Sequence, residues 1–239
     1  MDTIEMLVDK VEGWLSVREG KLLYEIAKHC SGKGAIVEIG SWQGKSTIWL
    51  GKGSQHGKRN KIFAIDPHVG SSEHHHEAKP VWTFPQFERN IKNAKVEDVV
   101  VGVVKTSEEA EKSWKEGPVE FLWIDGAHEY DLVYLDYKVW EPHLIDRGII
   151  GFHDTFLGTG PKKVVDRYLY KGDKFKNIRF LEGITYAEKA ASITLKDRIC
   201  NRYALIVRNL YLVLSLFAQR LRIPKPVKRT AKRVVEFFQ

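Results

Sequence analysis

The stretch Ile36-Val37-Glu38-Ile39-Gly40-Ser41-Trp42-Gln43-Gly44-Lys45-Ser46-Thr47 restricts what this chain can fold into more than any other. A short apolar run carrying an acidic residue, two spaced glycines, and then Ser-Thr-Ile-Trp-Leu at helical spacing predict a strand, a tight turn and a helix. Glycine lets the backbone bend sharply and a ligand lie against it. The amides that open the helix favour a negative group.

Two ligand classes compete for such a turn. Gly40-x-x-x-Gly44-Lys45-Ser46 is one residue short of the phosphate loop Gly-x-x-x-x-Gly-Lys-Ser/Thr, and it is not the dinucleotide pattern Gly-x-Gly-x-x-Gly. Shortening the phosphate loop removes part of the amide nest that wraps the anion. A second short strand, Lys61-Ile62-Phe63-Ala64-Ile65, ends in Asp66 about twenty residues on, where a carboxylate grips a ribose diol.

Beyond these two strands, apolar runs at 99–104, 119–124 and 147–152 alternate with helical patterns near 45–53, 83–94, 107–115, 130–143 and 161–170. Such alternation predicts an α/β fold, a doubly wound parallel sheet with helices on both faces. Runs at 176–181 and 184–188 flank Glu182-Gly183 and read as a closing hairpin. Helical patterns at 3–12 and 17–30 precede the first strand, either beside the ligand cleft or over a sheet edge.

With Val37-Glu38-Ile39-Gly40-x-x-x-Gly44-x-Ser46, then Asp66, then Phe121-Leu122-Trp123-Ile124-Asp125-Gly126-Ala127-His128, residues 16–190 resemble the class I S-adenosylmethionine-dependent methyltransferases. The nearer likeness is to catechol and macrocin O-methyltransferases and cephalosporin hydroxylase-like proteins. The resemblance implies a Rossmann-like seven-stranded sheet, mostly parallel with an antiparallel last strand. It also implies S-adenosylmethionine as cofactor and a hydroxyl as methyl acceptor. Residue by residue, it puts Glu38 and Ser46 at the methionine end, with Gly40, Ser41 and Gly44 in the turn beneath and Asp66 on the ribose. Thr106 and Ser107 fall beside the adenine, and Trp42 either lines the pocket or packs on the turn.

Asp125 and Asp154 each follow a buried strand, and adjacent parallel strands bring such carboxylates to one rim where they can share a hard divalent ion. In the resembled enzymes these positions hold magnesium, with an asparagine as third ligand. Here the third position is Thr155, a weaker ligand. Asp125 also counts among the residues at the cofactor. His128 stands where those enzymes carry a lysine base, and a side chain titrating near neutrality suits proton abstraction. His153 is the second candidate, as a partner of Asp154. Two other readings stay open: a phosphate-loop-like NTPase built on Gly44-Lys45-Ser46, and a non-catalytic or hydroxylase-like relative recruited to membranes.

A long loop, Pro67 to Pro85, carries His74, His75 and His76; three consecutive residues do not converge easily on one zinc ion, and a solvated or substrate-facing lid is the stronger reading. Only Cys30 and Cys200 are present, which argues against a disulfide framework. The opening residues lack a signal-peptide pattern, so a cytoplasmic place is expected.

The net charge of +7 is unevenly spread, for residues 196–239 hold eleven Lys/Arg against Asp197 and Glu236, leaving the rest slightly acidic. Three parts are therefore expected: helices over the cleft at 1–34, a methyltransferase domain at 35–195 and a basic amphipathic helical tail at 196–239. On a helical wheel, 199–222 has one polar half holding Arg208 and one apolar half holding Ile206, Leu210 and Phe217; a second basic helix follows Pro224 and Pro226. The tail suits an anionic membrane surface, with packing on the body or a homodimer as the alternatives. Nucleic acid is not an expected partner, because the aromatics lie on the apolar side. The acceptor is read as a small molecule or a lipid-linked glycan.

Overall fold

The computed structural model describes residues 2–70 and 81–220. Helices α1 (Asp2–Val8) and α2 (Val17–His29) lead into strand β1 (Ala35–Ile39) and helix α3 (Lys45–His56). β2 (Ile62–Ile65), α4 (Phe84–Asn93), β3 (Val100–Val103), α5 (Ser107–Lys112), β4 (Val119–Ile124) and α6 (Tyr130–Trp140) follow. A single 3-10 turn joins α6 to β5 (Leu144–Phe152). Helix α7 (Gly160–Val164) continues as a π-helical turn, Val165–Tyr170, before the hairpin of β6 (Phe175–Leu181) and β7 (Ile184–Lys189). The long helix α8 (Leu195–Arg220) closes the described chain.

The seven strands form one sheet in the order β3-β2-β1-β4-β5-β7-β6. β1 pairs in parallel with both β2 and β4, so the chain winds outward in one direction after β1 and in the other after β4. Only β7 runs against its neighbours β5 and β6. The doubly wound sheet expected from the alternation of apolar runs is therefore the one observed, with the hairpin in the expected place. β1 and β4 are buried along their whole length, as strands covered on both faces must be.

Successive strand residues serve opposite layers. Ile36, Ile62, Phe121 and Trp123 join the core under α1 to α4, where Leu23, Ala27, Ile48 and Trp49 also lie. Val37, Ile65, Leu122 and Ile124 join the other, with Val133 and Trp140 of α6, Val164 of α7 and Leu205 of α8. This is the two-residue period of a pleated strand applied to a sheet with two cores. The leading helices belong to the first layer, and α2 lies so close to α3 that a Cβ on Gly20 would fall 2.1 Å from Trp49 Nε1. α2 begins at a capping box in which Ser16 and Glu19 serve each other's backbone amides.

α8 begins four residues earlier than the wheel suggested and rests on β6 and the π-helical turn. It docks by its polar side. The polar Asn201 and Arg208 face the body, Arg208 being only 1% exposed, while Ile206, Leu210 and Phe217 face outward. Among the described residues no helix is long and apolar enough to cross a membrane. The second basic helix expected after Pro226 lies outside the described residues, as do His74, His75 and His76.

Candidate active site

The turn after β1 is held from three sides. Gly40 takes φ +85°, and a Cβ there would sit 2.4 Å from the carbonyl oxygen of Asp125, so β1 and β4 end too close together for any side chain at this position. Asp66, from the end of β2, accepts the amides of Ser41 at 2.9 Å and Trp42 at 2.8 Å through Oδ2, and that of His68 at 2.6 Å through Oδ1. Trp42 is itself in a left-handed conformation at φ 47°, its ring 6.0 Å from that of Trp14. Lys45 turns away from the turn and donates to the carbonyl of Gly13 at 3.1 Å. A phosphate-loop lysine would point into the site, so the NTPase reading loses its cation.

Glu38 lies within β1, fully buried, and accepts hydrogen bonds from Ser46 Oγ and Thr47 Oγ1, each at 2.5 Å. Burial pushes its carboxyl up to about 8, against the pull of those two hydroxyls, with Asp125 and Asp66 adding to the rise. Ser46 was expected here; Thr47 was not. Ser41 Oγ is buried without a hydrogen-bond partner on the same turn. A buried hydroxyl lacking a partner beside a glycine-lined bend is what a polar ligand would satisfy, so this part of the chain fits the methionine end of S-adenosylmethionine.

The second cluster sits at the ends of β4 and β5. His153 Nδ1 lies 3.0 Å from Asp125 Oδ1 and 3.2 Å from Asp154 Oδ2, while its Nε2 faces Glu19 Oε1 of α2 at 3.5 Å. His128, at the opening of α6, contacts Asp154 Oδ2 through Nε2 at 3.0 Å. Burial works against a charge on His153, but Asp125 and the hydrogen bonds to Asp154 and Glu19 outweigh it and hold the ring well above the usual histidine range. Burial likewise raises Asp154, yet the two histidines prevail and hold it well below the ordinary carboxylate range. Asp125 goes the other way: burial dominates and its carboxyl is raised despite His153. Asp154 has φ 50°, a conformation costly for a side-chain-bearing residue and typical of functional rims.

Asp125, His153 and Asp154 offer three ligand atoms within 4.8 Å of one another. The expected third ligand, Thr155, turns its hydroxyl elsewhere. Its hydroxyl donates to the carbonyl of Gly183 at 2.9 Å and meets Thr185 Oγ1 at 2.9 Å, pinning the end of β5 to the closing hairpin. His153 is the third ligand-type side chain beside the two carboxylates. A set of two carboxylates and one imidazole suits a divalent ion, with the nitrogen favouring manganese, iron or zinc over magnesium.

Thr106 is the N-cap of α5, where its side chain and Glu109 form a capping box. Ser107 accepts from Trp140 Nε1 at 3.0 Å and supports the buried Asp136, whose carboxyl burial raises to about 6. Asp136 was missed from the sequence because, at helical spacing within 130–143, it reads as one more residue of a polar stripe. Glu19 was missed for a related reason. The Ser16-x-x-Glu19 box announces a helix start, but not that the same carboxylate also accepts the amide of Gly183 at 2.9 Å and reaches His153.

Residues 37–155, from within β1 through Thr155, match the model of a methyltransferase domain family. The chain belongs to the class I S-adenosylmethionine-dependent methyltransferases. Solved structures with the same fold include NovP, an O-methyltransferase, at 16% identity and TM-score 0.63, over 74% of this chain and 81% of that one. TomG from Streptomyces achromogenes, an O-methyltransferase of tomaymycin synthesis solved with S-adenosylmethionine, is similar at 15% identity and TM-score 0.58, over 80% and 91%. An O-methyltransferase from Bacillus cereus in complex with S-adenosylhomocysteine is similar at 16% identity and TM-score 0.56, over 79% and 91%. At these identities the likeness speaks for the fold. Within it, the methyltransferase has its glycine turn, Glu38 and the Asp125–His153–Asp154 cluster at the carboxyl ends of adjacent strands, where doubly wound sheets bind their ligands.

Proposed function

We propose that this methyltransferase moves the methyl group of S-adenosylmethionine to a hydroxyl of a small molecule or lipid-linked glycan, with His128 as the base. The observation that carries the reading is the pair His128–Asp154 at the rim between β4 and β5. With Nε2–H donated to Asp154, the neutral ring has its lone pair on Nδ1, the nitrogen that would take the acceptor's proton. Asp154 then holds the ring in one orientation and stabilises the charge it acquires. Glu38, with Ser46 and Thr47 behind it, holds the cofactor's amino group; Gly40, Ser41 and Gly44 form the bend under it. Asp66, already fixing that bend, offers the ribose its remaining lone pairs. The cofactor, when bound, supplies an electrophilic methyl on sulfur, so the protein's task is to align acceptor and methyl and remove one proton.

A divalent ion on Asp125, Asp154 and His153 is part of the proposal, and when bound it would favour the deprotonated acceptor. The donor chemistry supports it, with manganese expected to serve at least as well as magnesium. The basic stretch 199–239 supports attraction to an anionic membrane surface, where an amphiphilic acceptor would be delivered. Calorimetric titration with S-adenosylhomocysteine and with ATP tests the core of the reading: the first should bind and the second should not. Methyl transfer to a panel of hydroxyl acceptors, with and without chelator, tests the rest. Activity that survives chelation in full would remove the ion from the proposal, and cofactor binding with no transfer to any hydroxyl would favour the non-catalytic alternative.

A further inference from the structure

α8 is docked by the side that an amphipathic helix normally turns to water. Asn201, Leu205, Arg208 and Leu212 recur on one stripe and are buried against the body. Asn201 Nδ2 donates to the carbonyl of Phe175 at 2.8 Å; Arg208 donates to Asp166 Oδ1 at 2.8 Å and to the carbonyl of Thr155 at 2.7 Å, its guanidinium 5.4 Å from the centre of the Tyr170 ring. Such contacts fix the rotation of the helix about its axis. They leave Ile199, Tyr203, Ile206, Leu210, Val213 and Phe217 exposed on the opposite stripe, at alternating steps of four and three residues. At about 1.5 Å per residue this strip runs for roughly 27 Å along the helix. No exposed residue between Tyr203 and Phe217 carries a charge. An outward apolar strip of this length marks an interaction surface rather than an ordinary solvent face.

We propose that this strip is the seat of the protein on an anionic bilayer surface, with α8 lying in the interface and the catalytic domain held above it by Arg208. This rests on the membrane-side reading of the methyltransferase and specifies which residues enter the lipid. Charge decides between lipid and a second copy of the chain. The strip is flanked by Lys196, Arg198 and Arg202 at one end and Arg220 at the other, and residues 221–239 add six Lys/Arg against Glu236 alone. The one carboxylate on α8, Asp197, accepts from the backbone and hydroxyl of Thr194. Pairing two such helices in either direction would set basic ends against basic ends. The positions beside the strip, Cys200, Val207, Asn209 and Leu214, also lack the opposite charges that pair helices in coiled coils. An anionic headgroup layer answers the basic flanks, and the acyl boundary answers the strip.

The docking contact also ties the seat to the chemistry. Arg208 holds the carbonyl of Thr155, the residue after Asp154, so the helix that meets the lipid is anchored directly at the rim bearing the His128–Asp154 pair. An acceptor whose apolar part remains in the bilayer can then present its hydroxyl to that rim.

Removing α8 would uncover Thr155, Phe175 and Tyr170, so the test keeps the full chain. Vesicle co-sedimentation is measured with phosphatidylcholine alone and with added phosphatidylglycerol, at low and high salt. Wild type should bind the anionic vesicles, weaken at high salt and retain part of its binding. The exposed double variant I206S/L210S should bind about tenfold or more weakly, and Tyr203→Trp should shift its emission to the blue on vesicles. Failure of wild type to bind, or equal binding by I206S/L210S, overturns the seat. So does a wild-type dimer in solution that I206S/L210S dissolves, which would make the strip a subunit seam. S-adenosylhomocysteine titration of the same samples separates the two claims: its absence defeats the methyltransferase site, whereas vesicle binding reports on the strip alone.

Discussion

Replacing Glu38 with glutamine should make the protein more stable at neutral pH and a poorer cofactor binder. The carboxyl is fully buried, and burial raises it from 4.5 to about 8 in the folded state. The folded protein therefore holds this proton more tightly than the unfolded chain does. The resulting stability is complete at acid pH and is lost as pH climbs from about 4.5 through about 8. At about 1.4 kcal/mol per pH unit, the whole window corresponds to ~5 kcal/mol. Glutamine keeps the shape, and Ser46 and Thr47 can reverse their hydroxyls to suit an amide, but the titration is gone. A cofactor ammonium beside Glu38 reverses the preference and favours the carboxylate, so binding below about pH 8 should release a proton that glutamine cannot release. Urea unfolding between about pH 5 and about pH 8, followed by tryptophan fluorescence, should give a falling curve for wild type and a flat contribution for E38Q. Calorimetry with S-adenosylhomocysteine in phosphate and in Tris should give heats that differ between buffers for wild type only. Parallel stability curves for the two proteins, or wild-type heats independent of buffer, would refute the reasoning.

Gly40→Ala forces a Cβ to 2.4 Å from the Asp125 carbonyl in a left-handed conformation, and should lower the urea midpoint by an amount equivalent to about 3 kcal/mol or more; an unchanged midpoint would mean that β1 and β4 do not close as described. His128→Ala should cut the methyl-transfer rate by about 10²–10⁴-fold while leaving S-adenosylhomocysteine affinity nearly intact, and equal losses in both would deny it the role of base. Glu19→Ala withdraws the acceptor of Gly183 N and of Ser16 N and leaves His153 short of a partner, a loss of about 2–4 kcal/mol in chemical unfolding. Glu19→Gln, which preserves an acceptor, should lose clearly less.

The strands, their doubly wound arrangement and the rim were legible because parallel strands buried on both faces read as unbroken apolar runs, and the residues that end them, Asp66, Asp125 and Asp154, interrupt those runs visibly. Ser46 was placed beside Glu38 through the family resemblance, and its hydroxyl does donate to that carboxyl. Thr155 could not be placed. Its position after Asp154 is that of a ligand, but whether a hydroxyl turns to the rim or to the hairpin depends on Gly183 and Thr185, nearly thirty residues on. Glu19 was hidden by distance in the chain, over 130 residues from His153. The direction of α8 was hidden for a different reason. A helical wheel shows two halves but not which faces inward, and the usual preference for apolar contact yields where the body offers a carboxylate and two open carbonyls to Asn201 and Arg208.

The place of β7 between β5 and β6 governs the order in which this chain can complete itself during synthesis. β6 leaves the ribosome before β7 yet has no strand to pair with until β7 has slotted in against β5. Through that interval the outer edge of β5 exposes a row of unpaired amides and carbonyls in an already apolar sheet, the kind of edge that recruits other chains. Arg208 comes later still, and its seat on Asp166 and Thr155 requires both the π-helical turn and the pinned end of β5. A pause in translation before residue 189 would therefore hold the nascent chain at its most adhesive, and α8 locks only after every strand is in place.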